Sequence, residues 1–122
     1  MYSFIVNPNA SGGRGERIWR RLEKQLKHLG VPYEAFVTEK TGDARRLARD
    51  LTEHQREPRI LIAVGGDGTV SEVLDGISFC GPVTLGYIPT GSGNDLARSL
   101  RLPKSPSRCL KKILNPKYHK LL

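Results

Sequence analysis

The sequence predicts an α/β domain, a parallel sheet with helices on both of its faces. Three observations predict it. Short apolar runs alternate with longer amphipathic stretches, in strand–loop–helix order. One run, Arg59 to Val64, is apolar at every position after its first, as suits a strand covered on both faces. A loop rich in glycine or hydroxyl side chains follows each apolar run.

Taken in order, Tyr2 to Asn7 reads as the first strand. Gly15 to Leu29 reads as a helix, with Ile18, Leu22, Leu26 and Leu29 on one stripe and Gly30 ending it. Trp19 sits beside that stripe and is expected to pack. Tyr33 to Thr38 is the second strand, and Asp43 to Glu53 a second helix with Ala44, Leu47, Ala48 and Leu51 inward. The third strand, Arg59 to Val64, leads to a helix from Val70 to Ile77. There Thr69-Val-Ser-Glu72 fits a capping box, in which hydroxyl and carboxylate reciprocally satisfy two N–H groups. Thr84 to Ile88 is the fourth strand. Asn94 to Leu100 is a helix that Asn94 caps and whose dipole Asp95 complements. Pro106 to Leu114 is the last helix, with Ser105 as its cap and Pro106 in its first turn.

A chain of 122 residues supports one domain with one core. Its 38% hydrophobic and 26% charged content is that of a globular protein. No apolar run reaches the ~18 residues of a membrane span, and the first residues read as a strand rather than a signal peptide. Cys80 and Cys109 make neither a disulfide framework nor a metal cluster, and reduced cytosolic thiols are expected. His28, His54 and His119 have no ligand spacing.

The net charge of +8 is a property of the tail. Arg98 to Leu122 carries eight Lys/Arg and no acid, whereas the preceding residues balance twelve against twelve. Two readings stand: a solvated basic face, which is favoured, and attraction to an anionic membrane surface. No nucleic acid is expected, because only Tyr118 interleaves with the tail's charges.

In a parallel sheet the loops leaving the carboxyl ends open on one edge, where ligands bind. Those loops read Asn7-Pro-Asn-Ala-Ser-Gly-Gly-Arg-Gly15, Thr38-Glu-Lys-Thr-Gly-Asp43, Gly65-Gly-Asp-Gly-Thr69 and Pro89-Thr-Gly-Ser-Gly-Asn94. Glycine lets backbone N–H groups approach a ligand, and Ser11, Thr41, Thr69, Thr90 and Ser92 add hydroxyl donors. Helix starts add N–H groups and partial positive charge, so the four loops together read as a polyphosphate cradle. Neither G-x-x-x-x-G-K-[ST] nor a G-x-G-x-x-G after the first strand is present. Arg14 and Lys40 are the only cations in these loops and read as solvated charges. Asp67 is a carboxylate inside a phosphate loop. It could hold Mg²⁺, accept a proton, bond a ribose or shape an Asx-turn, and its glycine neighbours on both sides favour a functional role.

Ile5-Val-Asn-Pro with Ser11-Gly, then Gly65-Gly-Asp-Gly-Thr-Val-Ser-Glu-Val, then Pro89-Thr-Gly-Ser-Gly-Asn-Asp-Leu-Ala resemble the diacylglycerol kinase catalytic domain family. That family includes bacterial lipid kinases and the sphingosine and ceramide kinases. The resemblance implies ATP as phosphoryl donor, with Mg²⁺, and a lipid hydroxyl such as that of diacylglycerol as acceptor. It implies that Asn7, Ser11, Thr41 and Gly65, Gly66, Asp67, Gly68 and Thr69 line the nucleotide site, with Asp67 catalytic. Gly91, Ser92, Gly93, Asn94 and Asp95 would line the cleft where donor and acceptor meet. No residue of the chain is assigned as a metal ligand.

The family fold continues into a larger β-sandwich domain that takes the lipid and supplies further carboxylates. By that resemblance residues 1–122 are the nucleotide-binding domain alone, with 115–122 the lead-in to the next. The expected setting is cytoplasmic, peripheral at the inner membrane face. The expected partners are ATP, a lipid held by the missing domain, an anionic membrane surface and a second copy of the chain. No contiguous apolar groove for acyl chains is legible, since stripes and strands use the apolar residues. Two alternatives stay open. One is an NAD kinase-like domain, with Asn94-Asp95 imitating a ribose-binding pair; the other is a non-catalytic nucleotide-binding module.

Overall fold

A computed structural model describes residues 1–78, 81–91 and 94–115. Among them strands and helices alternate: β1 (Tyr2–Val6), α1 (Arg14–Leu29), β2 (Tyr33–Val37), α2 (Asp43–Thr52), β3 (Arg59–Gly65), α3 (Asp67–Gly76), β4 (Val83–Pro89), α4 (Asp95–Ser99) and α5 (Pro106–Ile113). The strands pair in the order β2-β1-β3-β4, all parallel. β1 and β3 are therefore internal, which accounts for their near-continuous apolar runs.

Alternation along the strands makes two cores. Phe4, Val6, Ile62, Val64 and Ile88 meet Ile18, Leu22 and Leu26 of α1 and Leu110 of α5. Ile5, Leu61, Ala63, Val83 and Tyr87 meet Ala44 and Ala48 of α2, Val70 and Val73 of α3 and Ala97 of α4. Helices thus cover both faces. Trp19 packs as expected, its ring 5.0 Å from Phe4 and 6.0 Å from Tyr33.

The topology also locates a crevice. β1 feeds α1 on one face, while its neighbour β3 feeds α3 on the other. Their carboxyl-end loops diverge, and a ligand site opens between them.

Three expectations need correction. α3 begins at Asp67 rather than Val70, because β3 passes into the helix through one extended residue, Gly66. The first turn, Asp67-Gly-Thr, carries no aliphatic residue, so apolar periodicity registers only from Val70. With Thr69 inside the helix, the capping box does not form. Glu72 Oε1 instead accepts the Gly42 N–H at 2.8 Å, tying α3 to the start of α2. Finally, an apolar groove of about 400 Å³ does exist, along β4 between Leu74 of α3, Leu100 and Leu102 at α4, and Ile113 of α5. Stripes and strands do not use every apolar side chain: Leu74 is 43% and Leu100 56% exposed.

Ser105 caps α5 as expected, accepting the Arg108 N–H, and Pro106 opens it. Leu110, Ile113 and Leu114 pack inward while Lys111 and Lys112 are exposed. Cys109 is buried, its thiol pushed up to about 11 by burial, which leaves it unreactive. No helix among the described residues is long and apolar enough to cross a membrane. Cys80, Ser92, Gly93 and residues 116–122 of the expected lead-in at 115–122 lie outside the described residues.

Candidate functional site

The four carboxyl-end loops gather on one edge and bond to one another. Thr38 N–H donates to Val6 O at 2.8 Å, Asn7 N–H to Val64 O at 2.9 Å and Thr90 N–H to Gly65 O at 3.0 Å, so the ladder continues past the strand ends. Side chains join them further. Asn7 Nδ2 donates to Thr69 Oγ1 at 3.3 Å across the crevice, and the Ser11 and Thr90 hydroxyls share a hydrogen bond at 3.1 Å.

Between the loops after β1 and β2 and the start of α3 lies a hollow of about 230 Å³. Asn7, Asn9, Thr38, Thr41, Thr69 and Glu72 line it, so three of the expected nucleotide residues share one concavity. Lys40 borders it too. Asp43 shapes its rim, since one carboxylate oxygen accepts the N–H groups of Glu39 (2.8 Å) and Lys40 (3.0 Å). Those two bonds hold the Asp43 carboxyl below the usual carboxylate range, with Arg46 and Lys40 assisting.

The helix starts on this edge are unusual. α1 and α2 each follow a left-handed glycine, Gly13 and Gly42, and α3 follows Gly66; none has a side-chain cap of its own. Ser11 precedes them in the left-handed region at φ 56°, strained for a residue with a Cβ. α5, whose N-terminus Ser105 caps, shows the contrast. Uncapped starts leave N–H groups and the positive dipole end available to an anion.

The remaining expected residues form a second cluster. Gly91 packs against the Ser11 hydroxyl, 2.9 Å from where a Cβ would stand, and its N–H donates to Asn94 Oδ1 at 3.2 Å. Asn94 therefore folds back on its own loop and does not cap α4. Asp67 does so instead: its Oδ2 accepts the Leu96 N–H at 3.2 Å, and its Oδ1 accepts the Tyr87 hydroxyl at 2.9 Å. Asp95 is exposed and ion-paired with Arg98. Gly65 is buried beneath Thr69, whose Oγ1 would lie 2.5 Å from a Cβ there, so it permits that fold rather than lining the hollow. Gly68 opens to solvent with nothing within 4 Å of a Cβ position.

Sequence reasoning placed Asp43 in the loop after β2 without giving it a role, read Glu72 as half of a capping box, and passed over Tyr87. The signals were present: an acid at a helix start just after Thr-Gly, and a phenol in a mostly apolar strand. The Glu72 bond, thirty residues from its partner, has no local signal.

The description that matches is the diacylglycerol kinase catalytic domain, over residues 1–121. The chain belongs to this family. Diacylglycerol kinases from Staphylococcus saprophyticus and Bacillus subtilis strain 168 are 38% and 33% identical to it, over 81% and 82% of its length. The chain spans about a third of those two kinases, 32% and 33%. A diacylglycerol kinase structure from Bacillus anthracis strain Sterne superposes with a TM-score of 0.73 and 29% identity, over 92% of this chain and 38% of that one. The α/β architecture with its parallel sheet is thus that of a diacylglycerol kinase-family domain.

Proposed function

We propose that this diacylglycerol kinase-family chain is the nucleotide-binding part of an ATP-dependent lipid kinase. The transferred group is the ATP γ-phosphoryl, and the acceptor is a lipid hydroxyl such as that of diacylglycerol. One observation carries the proposal: four loops bonded together at one sheet edge, around a polar hollow, flanked by helix starts without caps. Phosphoryl transfer asks a protein chiefly for positioning and charge stabilisation, and such an edge supplies both.

Asn7, Thr41 and Thr69 would hold the nucleotide in the hollow, while the α3 start at Gly66–Gly68 faces its phosphates. Mg²⁺, when bound, would neutralise charge on the phosphate oxygens. Asp67 fits such a group, because each carboxylate oxygen accepts one protein donor and retains a lone pair. A further domain would bring the lipid and additional carboxylates, in keeping with the greater length of the relatives. The exposed cations Arg98, Arg101, Lys104, Arg108, Lys111 and Lys112 would rest on an anionic inner membrane surface. A cytoplasmic setting and a homodimer belong to the same proposal.

The NAD kinase-like alternative draws less support. Asn94 is bonded to Gly91 and Asp95 to Arg98, so the pair is not presented jointly to a ribose. The test is an assay of the enzyme carrying this domain, with ATP and Mg²⁺, against diacylglycerol and against NAD. Phosphatidic acid as product supports the proposal, and phosphorylated NAD overturns it. Asp67→Ala should lower turnover on the order of a hundredfold or more if the carboxylate serves the metal or the reacting hydroxyl.

A further inference from the structure

Tyr87 occupies a position where the strand pattern calls for an aliphatic residue. It lies on β4, on the same face as Val83 and Leu85, buried against α3 and α4 at 6% exposure. A phenol placed there must find a partner for its hydroxyl. That partner is Asp67 Oδ1, 2.9 Å away, while the other oxygen of the same carboxylate holds the Leu96 N–H at 3.2 Å. One carboxylate thus joins three elements: β4, the first turn of α3 and the first turn of α4. Among the described residues α4 has no other side-chain cap, because Asn94 is turned towards Gly91.

We infer that Tyr87 is a positioning residue, which by fixing the Asp67 carboxylate sets the spacing between the Gly65–Thr69 loop and the start of α4. This rests on the reading of that edge as a phosphoryl-transfer site. Without the phenol, the carboxylate keeps one protein donor and regains rotamer freedom. The α4 start then loosens, and with it the wall that must hold donor and acceptor in line. Burial, together with the Asp67 carboxylate, raises the Tyr87 hydroxyl above its ordinary range, so it stays a donor at working pH.

The test uses Tyr87→Phe, which keeps the ring in the core and removes only the hydroxyl. In the 122-residue chain, amide hydrogen exchange at Leu96 should speed about tenfold, with Ile62 in β3 unchanged. Unchanged exchange at Leu96 overturns the clasp, whatever the enzyme phosphorylates. If the variant loses protection at Ile62 as well, Tyr87→Met, an aliphatic of similar reach, is measured in its place under the same criterion. In the enzyme carrying the domain, kcat should fall about tenfold while KM for ATP stays within about twofold. Faster exchange with unchanged kcat overturns the positioning role. In an Asp67→Ala background, Tyr87→Phe should add no further loss, and an additive loss overturns action through Asp67. A wild-type enzyme inactive on lipid would sink the lipid-kinase proposal, while the exchange measurement would still judge the clasp.

Discussion

Glu72 of α3 accepts the Gly42 N–H at 2.8 Å and so ties down the residue from which α2 starts, thirty residues away in sequence. The bond closes one side of the polar hollow, because Gly42 ends the loop carrying Thr41 and Glu72 itself lines the cavity. Glu72→Ala should cost about 1–2 kcal/mol, the usual range for a lost cap or a donor left without its charged acceptor. Glu72→Gln, which keeps an acceptor oxygen, should cost less than half as much. Urea denaturation of both variants measures this, and equal losses would point to packing rather than the hydrogen bond.

Asp43 makes the same loop sensitive to acid. Its folded-state carboxyl lies below the ordinary value because two backbone N–H groups, from Glu39 and Lys40, bond its charged form. A depressed carboxyl contributes stability that is present above the unfolded value, about 4, and is lost as pH falls through the folded one. As pH falls below about 4, Tm should therefore drop more steeply in the wild type than in Asp43→Asn. Parallel thermal melts across that range would decide the matter, and identical slopes would remove Asp43 as a contributor.

Gly68 separates ligand space from folding space. A Cβ there meets nothing within 4 Å, and the residue sits in the first turn of a helix, where alanine is tolerated. Gly68→Ala should leave Tm unchanged or slightly raised. On the proposal that the α3 start at Gly66–Gly68 faces the ATP phosphates, the added methyl crowds them, so ATP affinity should fall by about tenfold, near 1.4 kcal/mol. Isothermal titration with ATP reads this, and wild-type affinity in the variant would place the phosphates elsewhere.

The 122-residue chain by itself should bind adenine nucleotide weakly, towards the millimolar end of the ordinary range, and transfer no phosphoryl group. It offers one wall of a cleft, and Asp67 is its one carboxylate within the Gly65–Thr69 loop. Robust phosphorylation of diacylglycerol by these residues alone would overturn the two-domain proposal.

The fold was readable because its signals are local. A parallel sheet shows itself in the apolar runs of β1 and β3, and α1 in its stripe of Ile18, Leu22 and Leu26 and its closing Gly30, although Leu29, expected on the same stripe, is 53% exposed at the helix end. The start of α3 was not readable, since a first turn of Asp, Gly and Thr has no apolar period to detect. Within the site, the family resemblance pointed to Asn7, Thr41 and Thr69 together, and they do share one hollow. The bonds from Glu72 to Gly42 and from Asp67 to Leu96 could not, because both depend on which loops the crossovers bring together. Asn94 and Thr69 each looked like a helix cap for the same reason: sequence shows a suitable oxygen, and the fold decides which N–H it meets.

The groove along β4 bears on how this chain behaves at high concentration. Among the described residues β4 is an outer strand, so one row of its N–H and C=O groups has no neighbouring strand. Beside that row lie Leu74 and Leu100, both largely open to water. An unpaired strand bordered by bare leucines is a template on which other chains can stack. Expressed in isolation, the chain should lose solubility as concentration rises. A lysine at Leu100 should delay that precipitation without disturbing the nucleotide edge.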